Sequence, residues 1–392
     1  MHIVLVGPCA PIDVMGLLNP ADSRAAAETK GYRGIPVSEL AKSYVALGHR
    51  VSVATLTYHP DDEESVFRGP NFEVFVGKGR PHWTRNLPDA YRVERGKLSE
   101  YIRQTSADVT HAHWTYEFEL AAQQAGRPHV TTAHDAPVTV VRHMRHPARV
   151  ARLALAYRAR LGIQHLSCVS PYLATRWRRE MLYRGPVEVI PNSIPTDALS
   201  EGRRPTQHPT VLEVADGGRL KNVKGLLRAF AVTRQQIPDA ALRIVGPGLD
   251  DNSATAHWAR ETNVAEGVTF VGPAGRQELG KEFEQAWLFS HASLEECCPM
   301  VVLEALGSHV PVVAGNDAGG TPYVLDYGRF GRLTDITEPT EYGRCMSAML
   351  AEGPPSGPSG LDQYLDESFS PTAVAGRYIH WYERSLGLSE GG

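Results

Sequence analysis

The stretch Ser293-Leu-Glu-Glu-Cys-Cys-Pro-Met-Val-Val-Leu-Glu-Ala-Leu306 decides how the rest of the chain is read. It sets two acids, Glu296 and Glu304, eight positions apart across a loop that opens into a helix. Pro299 suits the first helical position, where a missing N–H is no loss. From Met300 to Leu306 every residue is apolar except Glu304, so this acid belongs to a helix otherwise composed for burial. A helix start offers unpaired N–H groups and a partial positive charge, a seat for phosphate among Cys298, Met300 and Val301. At about 1.5 Å rise per residue, Glu304 lies roughly 7 Å along the helix from Pro299, within reach of a ribose joined to a diphosphate there. The residues suggest one acid for a sugar, helix amides for phosphates, and a second acid for ribose hydroxyls. A surface glutamate followed by an amphipathic helix with one stray acid fits the same letters, and the motif alone does not separate the two.

The sequence that follows tilts the balance. Pro311-Val-Val-Ala-Gly315 reads as a short buried parallel strand, and Ala318-Gly-Gly-Thr321 as a tight turn after it. Together these segments resemble the retaining glycosyltransferases of family GT4, with their Glu-x7-Glu signature, Pro-Val-Val strand and Gly-Gly turn. The resemblance implies that Glu296 contacts the donor sugar and Glu304 holds the ribose. One departure is Cys297-Cys298-Pro299, where the family usually has Gly-aromatic-Gly after the first acid. Gly218-Arg-Leu-Lys-Asn-Val-Lys-Gly225 resembles the family's Gly-Arg-Leu-x3-Lys-Gly, which assigns Arg219 and Lys224 to the donor diphosphate. Charge builds on that leaving group as the glycosidic bond breaks, so two cations there serve the chemistry. A solvated basic loop is the plainer alternative.

The resemblance covers nearly the whole chain. It implies a GT-B architecture, two Rossmann-like α/β domains facing a deep cleft. The expected division is an acceptor-binding domain over 1–200, a donor-binding domain over 207–368, and a C-terminal helix over 369–392 that crosses back to the first domain. It further implies a front-face substitution without a covalent intermediate, from a nucleoside-diphosphate sugar to a soluble small-molecule or glycan acceptor, with no other cofactor. No metal is expected, since no Asp-x-Asp motif or metal-ligand spacing lies beside the donor segment and Arg219 and Lys224 supply the positive charge. A nucleotide-sugar epimerase of the same fold and a non-catalytic sugar-nucleotide binder are the competing functions.

Composition sets the outer bounds. The chain has 392 residues, comfortable for two domains. Hydrophobic content of 42% and charged content of 21% describe an ordinary globular protein. A formal net charge of −4 argues against a general nucleic-acid binder. Five cysteines without a regular framework suggest a reducing cytoplasm, and the adjacent Cys297 and Cys298 lack zinc-ligand spacing. No apolar run is long enough to span a bilayer.

Alternation of strands and helices implies doubly wound parallel sheets. In the first half, strands are expected at 2–6, 51–56, 130–133, 164–170 and 187–190. A βα cycle covers 108–125, a long polar segment precedes Gly34, and a helix runs from Ile35 to Leu47. After a linker at Pro205–Pro209, strands are expected at 211–214, 242–245, 268–271 and 288–290, with a helix from Lys224 to Gln236. A last helix from Thr372 to Leu386 carries Val374, Tyr378, Trp381 and Tyr382 on one stripe.

Other candidates lie where strands end. His134-Asp135 closes one strand, and the resemblance gives its histidine a donor-sugar contact. His111, His113 and Trp114 end another, as an acceptor wall or as a packed and satisfied pair of histidines. Gly34 matches a family glycine beside the β-phosphate, while Arg33 stands where a second glycine is usual. Base selection by backbone is placed around Gly272-Pro-Ala-Gly-Arg276. Arg142, His143, Arg145 and His146, with Arg149, Arg152 and Arg160 on the helix that follows, form the basic segment 142–160. It reads as a solvated face, a phosphorylated-acceptor site or an anionic-membrane patch. Membrane docking ranks last because the stripe itself lacks large apolar residues to insert.

Overall fold

The computed structural model describes residues 1–195, 202–353 and 358–387. The chain forms two compact units, Met1–Ser193 together with the segment from Ser370 onward, and Ile194–Phe369. Position 200, the expected end of the first domain, falls outside the described residues.

In the first unit eight strands make one sheet: β1 His2–Val6, β2 Arg50–Thr57, β3 Ser65–Arg68, β4 Phe72–Lys78, β5 Val109–His113, β6 His129–Ala133, β7 Leu166–Cys168 and β8 Val187–Val189. Their order is β3-β4-β2-β1-β5-β6-β7-β8. All neighbours pair in parallel except β3 and β4, which form an antiparallel edge hairpin. Ile3 to Val6 are fully buried, the mark of a parallel strand covered on both faces. The polar segment before Gly34 is not a loop throughout. It folds into a 3-10 turn, Pro11–Leu17, and a helix, Pro20–Glu28, which buries only Ala26 and so shows no apolar period.

The last helix, Pro371–Leu386, belongs to this first unit and packs on the helix Ile35–Ala46. It buries Val374, Ala375, Tyr378, Trp381 and Tyr382, and the Tyr382 hydroxyl meets that of Tyr44 at 2.6 Å.

The second unit is a six-stranded parallel sheet: β9 Thr210–Val214, β10 Ala241–Val245, β11 Val268–Gly272, β12 Leu288–His291, β13 Val312–Gly315 and β14 Arg332–Thr334. Its order is β11-β10-β9-β12-β13-β14. Leu226, Leu227 and Phe230 of the helix Val223–Gln236 share a core with Tyr342, Met346 and Leu350 of the helix Pro339–Ala351. The segment expected as a linker is docked on this unit: Thr206 N–H donates to the Gln285 carbonyl at 3.2 Å, and Trp287 Nε1 to the Thr206 carbonyl at 2.8 Å.

In each sheet the chain starts in the middle, builds outward on one side, then returns to the other. The crevices where strand order reverses lie between β1 and β5 and between β9 and β12. Ligands of open α/β sheets bind outside the strand ends at such points.

Candidate functional site

Around the second crevice three loops leave neighbouring strand ends and are bonded to one another. The loop after β9 accepts at the Leu220 carbonyl from Leu294 N–H (2.8 Å), in the loop after β12. The loop after β13 donates from Gly320 N–H to the Glu296 carbonyl at 2.6 Å, and Glu296 pairs with Gly319 in an isolated bridge. The Glu296 backbone is thereby held between its two neighbours.

Its side chain is held as firmly. Lys221 Nζ donates to Glu296 Oε1 at 2.5 Å, and Ser293 Oγ to the same oxygen at 2.9 Å. Burial pushes the Glu296 carboxyl up, but Lys221 and His291 outweigh it and hold the group below its usual range. Lys221 is raised in turn, since attraction to Glu296 overcomes its own desolvation. Behind the pair lies Glu213 of β9, 1% exposed, whose Oε2 accepts from Ala292 N–H at 3.0 Å. Desolvation drives the Glu213 carboxyl well above its usual range, so it is held towards the neutral acid. His291, 1% exposed, has no hydrogen-bond partner on either ring nitrogen among the described residues. Burial pushes its imidazole down to about 4, which keeps it neutral.

Glu304 is 4% exposed in the helix Met300–Gly307, and Arg276 Nη1 donates to its Oε1 at 2.7 Å. Arg276 opens the helix Arg276–Gln285 just beyond β11. Gly272 ends that strand at φ +79°, a left-handed conformation that favours glycine, with Asp250 close by. Pro299 is the N-cap, not the first helical residue; its carbonyl accepts from Val302 and Leu303, leaving Met300 and Val301 to open the helix. Cys298 is buried beside them and Cys297 half-buried.

Arg219 and Lys224 are exposed and line one cavity of about 370 Å³ with Gly217, Gly218, Asn222 and Thr255. Lys224 Nζ lies 4.6 Å from the ring centroid of Trp258, which fixes the ammonium over an aromatic face. Among the described residues no group of three or more His, Cys, Asp or Glu side chains could hold a metal ion.

At the first crevice the histidines part company. His111 is fully buried with both nitrogens engaged, Nδ1 with Tyr382 Oη and Nε2 with Thr132 Oγ1, each at 2.7 Å. It takes the packed alternative and presents nothing to an acceptor. His113 Nδ1 meets His134 Nε2 at 2.9 Å, and His113 Nε2 is buried without a hydrogen-bond partner among the described residues. Trp114 stacks on His134 with ring centroids 4.1 Å apart. Burial pushes both His113 and His134 down, so the pair is neutral and shares one N–H. His113 and His134 border a small pocket with Pro36, Asn192, Ser193 and Tyr378. Gly34 caps the helix Ile35–Ala46 so close to Pro8 that a Cβ there would lie 2.2 Å from its carbonyl oxygen. Arg33 next to it is exposed.

Asp135 is turned inward rather than towards an acceptor. Tyr116 Oη donates to its Oδ2 at 2.7 Å, and desolvation raises its carboxyl. Arg142 is ion-paired with Glu180 at 2.7 Å, and Arg152 stacks on Tyr116 at 4.0 Å beside Glu117. The basic segment therefore does not present all its arginines outward. Lys221, Arg276, Glu213 and His291 were not assigned roles from sequence. The visible signals were a charged residue inside an apolar strand, Glu213, and a second lysine inside the Gly-Arg-Leu-x3-Lys-Gly stretch.

The family model for Glycosyltransferase Family 4 matches residues 37–198, and that for Glycosyl transferases group 1 matches residues 197–356. The chain is a member of the GT4-type glycosyltransferases. It is similar to the D-inositol 3-phosphate glycosyltransferase of Stackebrandtia nassauensis, 28% identical over 282 residues that cover 63% of this chain. That match spans 61% of the relative's own length. In fold, this GT4-type chain is similar to sucrose-phosphate synthase from Thermosynechococcus elongatus, at a TM-score of 0.77 and 18% identity over 99% of this chain and 100% of that one. It is likewise similar to Anabaena HepE in complex with UDP and glucose, at 0.68 and 18% over 97% and 98%. These likenesses match the GT-B fold class, with a Rossmann-like sheet in each unit.

Proposed function

We propose that the chain transfers a sugar from a nucleoside-diphosphate donor to an acceptor hydroxyl with retention at the anomeric carbon. The observation that carries this reading is the Glu296–Lys221 pair, bonded at 2.5 Å within the three joined loops at the β9/β12 crevice. With Oε1 engaged by Lys221 and Ser293, the carboxylate is ionised and oriented to accept from donor sugar hydroxyls. Glu304, steadied by Arg276, takes the ribose, while Arg219 and Lys224 face the diphosphate and oppose the charge that grows there. The leaving phosphate then takes the acceptor proton as the new bond forms on the same face. The work of a divalent cation falls to the two side-chain cations, so activity is independent of metal. The curated relative is named for D-inositol 3-phosphate, which makes a phosphorylated polyol the first acceptor class to test.

Thermal shift against several nucleoside diphosphates identifies the base, because a ligand that binds only the folded state raises Tm. Glu304→Ala is expected to weaken nucleoside-diphosphate binding by about 1.5–3 kcal/mol, whereas Glu296→Gln lowers turnover with the bare nucleotide still bound. Equal loss of nucleotide affinity in both variants contradicts this division. Slow donor hydrolysis without acceptor separates the enzyme from a sugar-nucleotide binder, and recovery of an epimerised sugar would favour the epimerase. The anomeric configuration of the product, read by NMR, tests retention.

A further inference from the structure

Between Ala136 and Arg179 the chain carries nine arginines and three histidines and not one Asp or Glu, in a protein whose formal net charge is −4. Most of this run folds into the helices Pro137–His143, Pro147–Ala159 and Pro171–Arg179 of the first unit. Nearby acids do not cancel its outer face. Glu117 is buried beside Arg152, Asp135 is turned inward to Tyr116, and Glu180 is taken by Arg142 and Arg176. Arg145 and Arg158 are left exposed.

The same region holds large apolar side chains in water: Trp83 is 44% exposed, Met144 42%, Val150 54%, Leu161 78% and Leu182 53%. Trp83 sets its ring edge-on to His146 with centroids 5.5 Å apart, and Leu182 is tied in by Arg160 Nη1, which donates to its carbonyl at 3.1 Å. On the helix Pro147–Ala159, Val150, Ala154 and Arg158 recur at i, i+4 and i+8 on the outward face, opposite buried Leu155, Ala156 and Ala159. From the letters alone membrane docking ranks last for want of insertable side chains. Met144 and Val150 lie within the basic segment and turn outward, and folding adds Trp83 and Leu182 from other segments.

We propose that this face of the first unit docks on a bilayer surface rich in anionic lipid. Arginines spread along a helix match a field of headgroups rather than one phosphate. Exposed Trp, Met, Val and Leu beside them have no use for a soluble anion but seat at the boundary between headgroup and acyl chain. No helix among the described residues is long and apolar enough to cross a membrane, so the contact is peripheral. The proposal does not depend on the donor-site reading, since docking is measured without any sugar nucleotide.

The test is flotation of the full chain with vesicles of phosphatidylcholine alone or mixed with phosphatidylglycerol. Co-flotation with the mixed vesicles only, released by salt, is expected. Arg145→Glu combined with Arg158→Glu should weaken it about tenfold or more, and Val150→Ser with Trp83→Ser should weaken it at fixed charge. Should a variant melt early, the wild type still decides: a tryptophan emission blue shift on mixed vesicles, lost in Trp83→Phe, supports docking through this face. Absence of binding to mixed vesicles at low salt, equal binding to neutral vesicles, or full binding by the charge-reversed variant would each overturn the proposal.

Discussion

In the second unit Glu296 and Glu304 each meet a cation, Lys221 at 2.5 Å and Arg276 at 2.7 Å. In the first unit, among the described residues, the His111 ring nitrogens hydrogen-bond to hydroxyls and His113 Nδ1 to another imidazole. Glu296 sits in the loop after β12 and Glu304 in the helix beyond it, whereas His111 and His113 belong to β5; Glu296 keeps its charge and the two histidines give it up. A carboxylate can be buried as an ion only with a countercharge, whereas an imidazole neutralises near ordinary pH and then needs only hydrogen-bonding neighbours. The strand ends of the second unit are thereby suited to holding and stabilising charge. Those of the first are suited to neutral hydrogen bonding, with His113 and His134 both bordering a small pocket.

The strongest way to break this comparison is to strip a countercharge. Arg276→Leu takes the guanidinium from a carboxylate that is only 5% exposed, and should cost about 3–5 kcal/mol of stability. Denaturant melts at neutral pH measure it, and a loss below about 1 kcal/mol would mean that Arg276 does not act as a buried countercharge to Glu304. Next in size is turnover. Arg219→Ala and Lys224→Ala should each lower kcat about a hundredfold, or about 3 kcal/mol, with a smaller change in nucleotide affinity. The wild-type rate should survive excess EDTA, and loss of activity restored by magnesium would transfer the phosphate work to a metal.

Acid sharpens the contrast. His291, neutral in the fold with its ring pushed down to about 4 from an ordinary 6.5, has a depressed folded value. It therefore contributes stability that is present above pH 6.5 and is lost as pH falls towards 4. Near pH 5 that loss is about 2 kcal/mol, and His111 and His113 act in the same direction. Glu296, also depressed, contributes stability that is present above its ordinary 4.5 and is lost as pH falls from there through its lower folded value. Glu213, raised, runs the other way: its contribution is present in acid and fades as pH rises through its folded value. Melts across the acid range should thus show a first decline between about pH 6.5 and 5 that His291→Phe diminishes. Because Glu213 opposes the histidines, the deciding readout is the difference between the proteins: a His291→Phe profile as steep as the wild type there would mean that His291 is charged in the fold.

The smallest effect belongs to the neutral network. Tyr382→Phe removes a hydroxyl that joins Tyr44 to His111, and should cost about 1–2 kcal/mol, less than losing a countercharge. A cost equal to that of Arg276→Leu would erase the distinction between the two regions.

Much of the fold was legible because burial leaves a mark on the letters. The strand at 2–6 is apolar after His2 and that at 211–214 is apolar but for Glu213, and the stripe Val374, Tyr378, Trp381, Tyr382 is the buried face of the last helix. The helix Pro20–Glu28 was not legible because it buries one alanine. The edge strand β3 has four residues, of which only Phe67 is buried, too few to show a period.

By itself the sequence determined the alternating α/β plan, the family, and the Glu296, Glu304, Arg219 and Lys224 positions, because local spacing sets which residues share a loop or a helix start. Tertiary structure decided the partners: Lys221 for Glu296 across 75 positions, Arg276 for Glu304 across 28, Tyr382 for His111 across 271. It also decided that His111 is packed, that Asp135 points inward and that Trp83 joins the arginine face. The physical reason is that charge state and exposure depend on what lies within a few ångströms in space. Parallel sheets bring together strand ends that the chain keeps far apart, and no local pattern records that meeting.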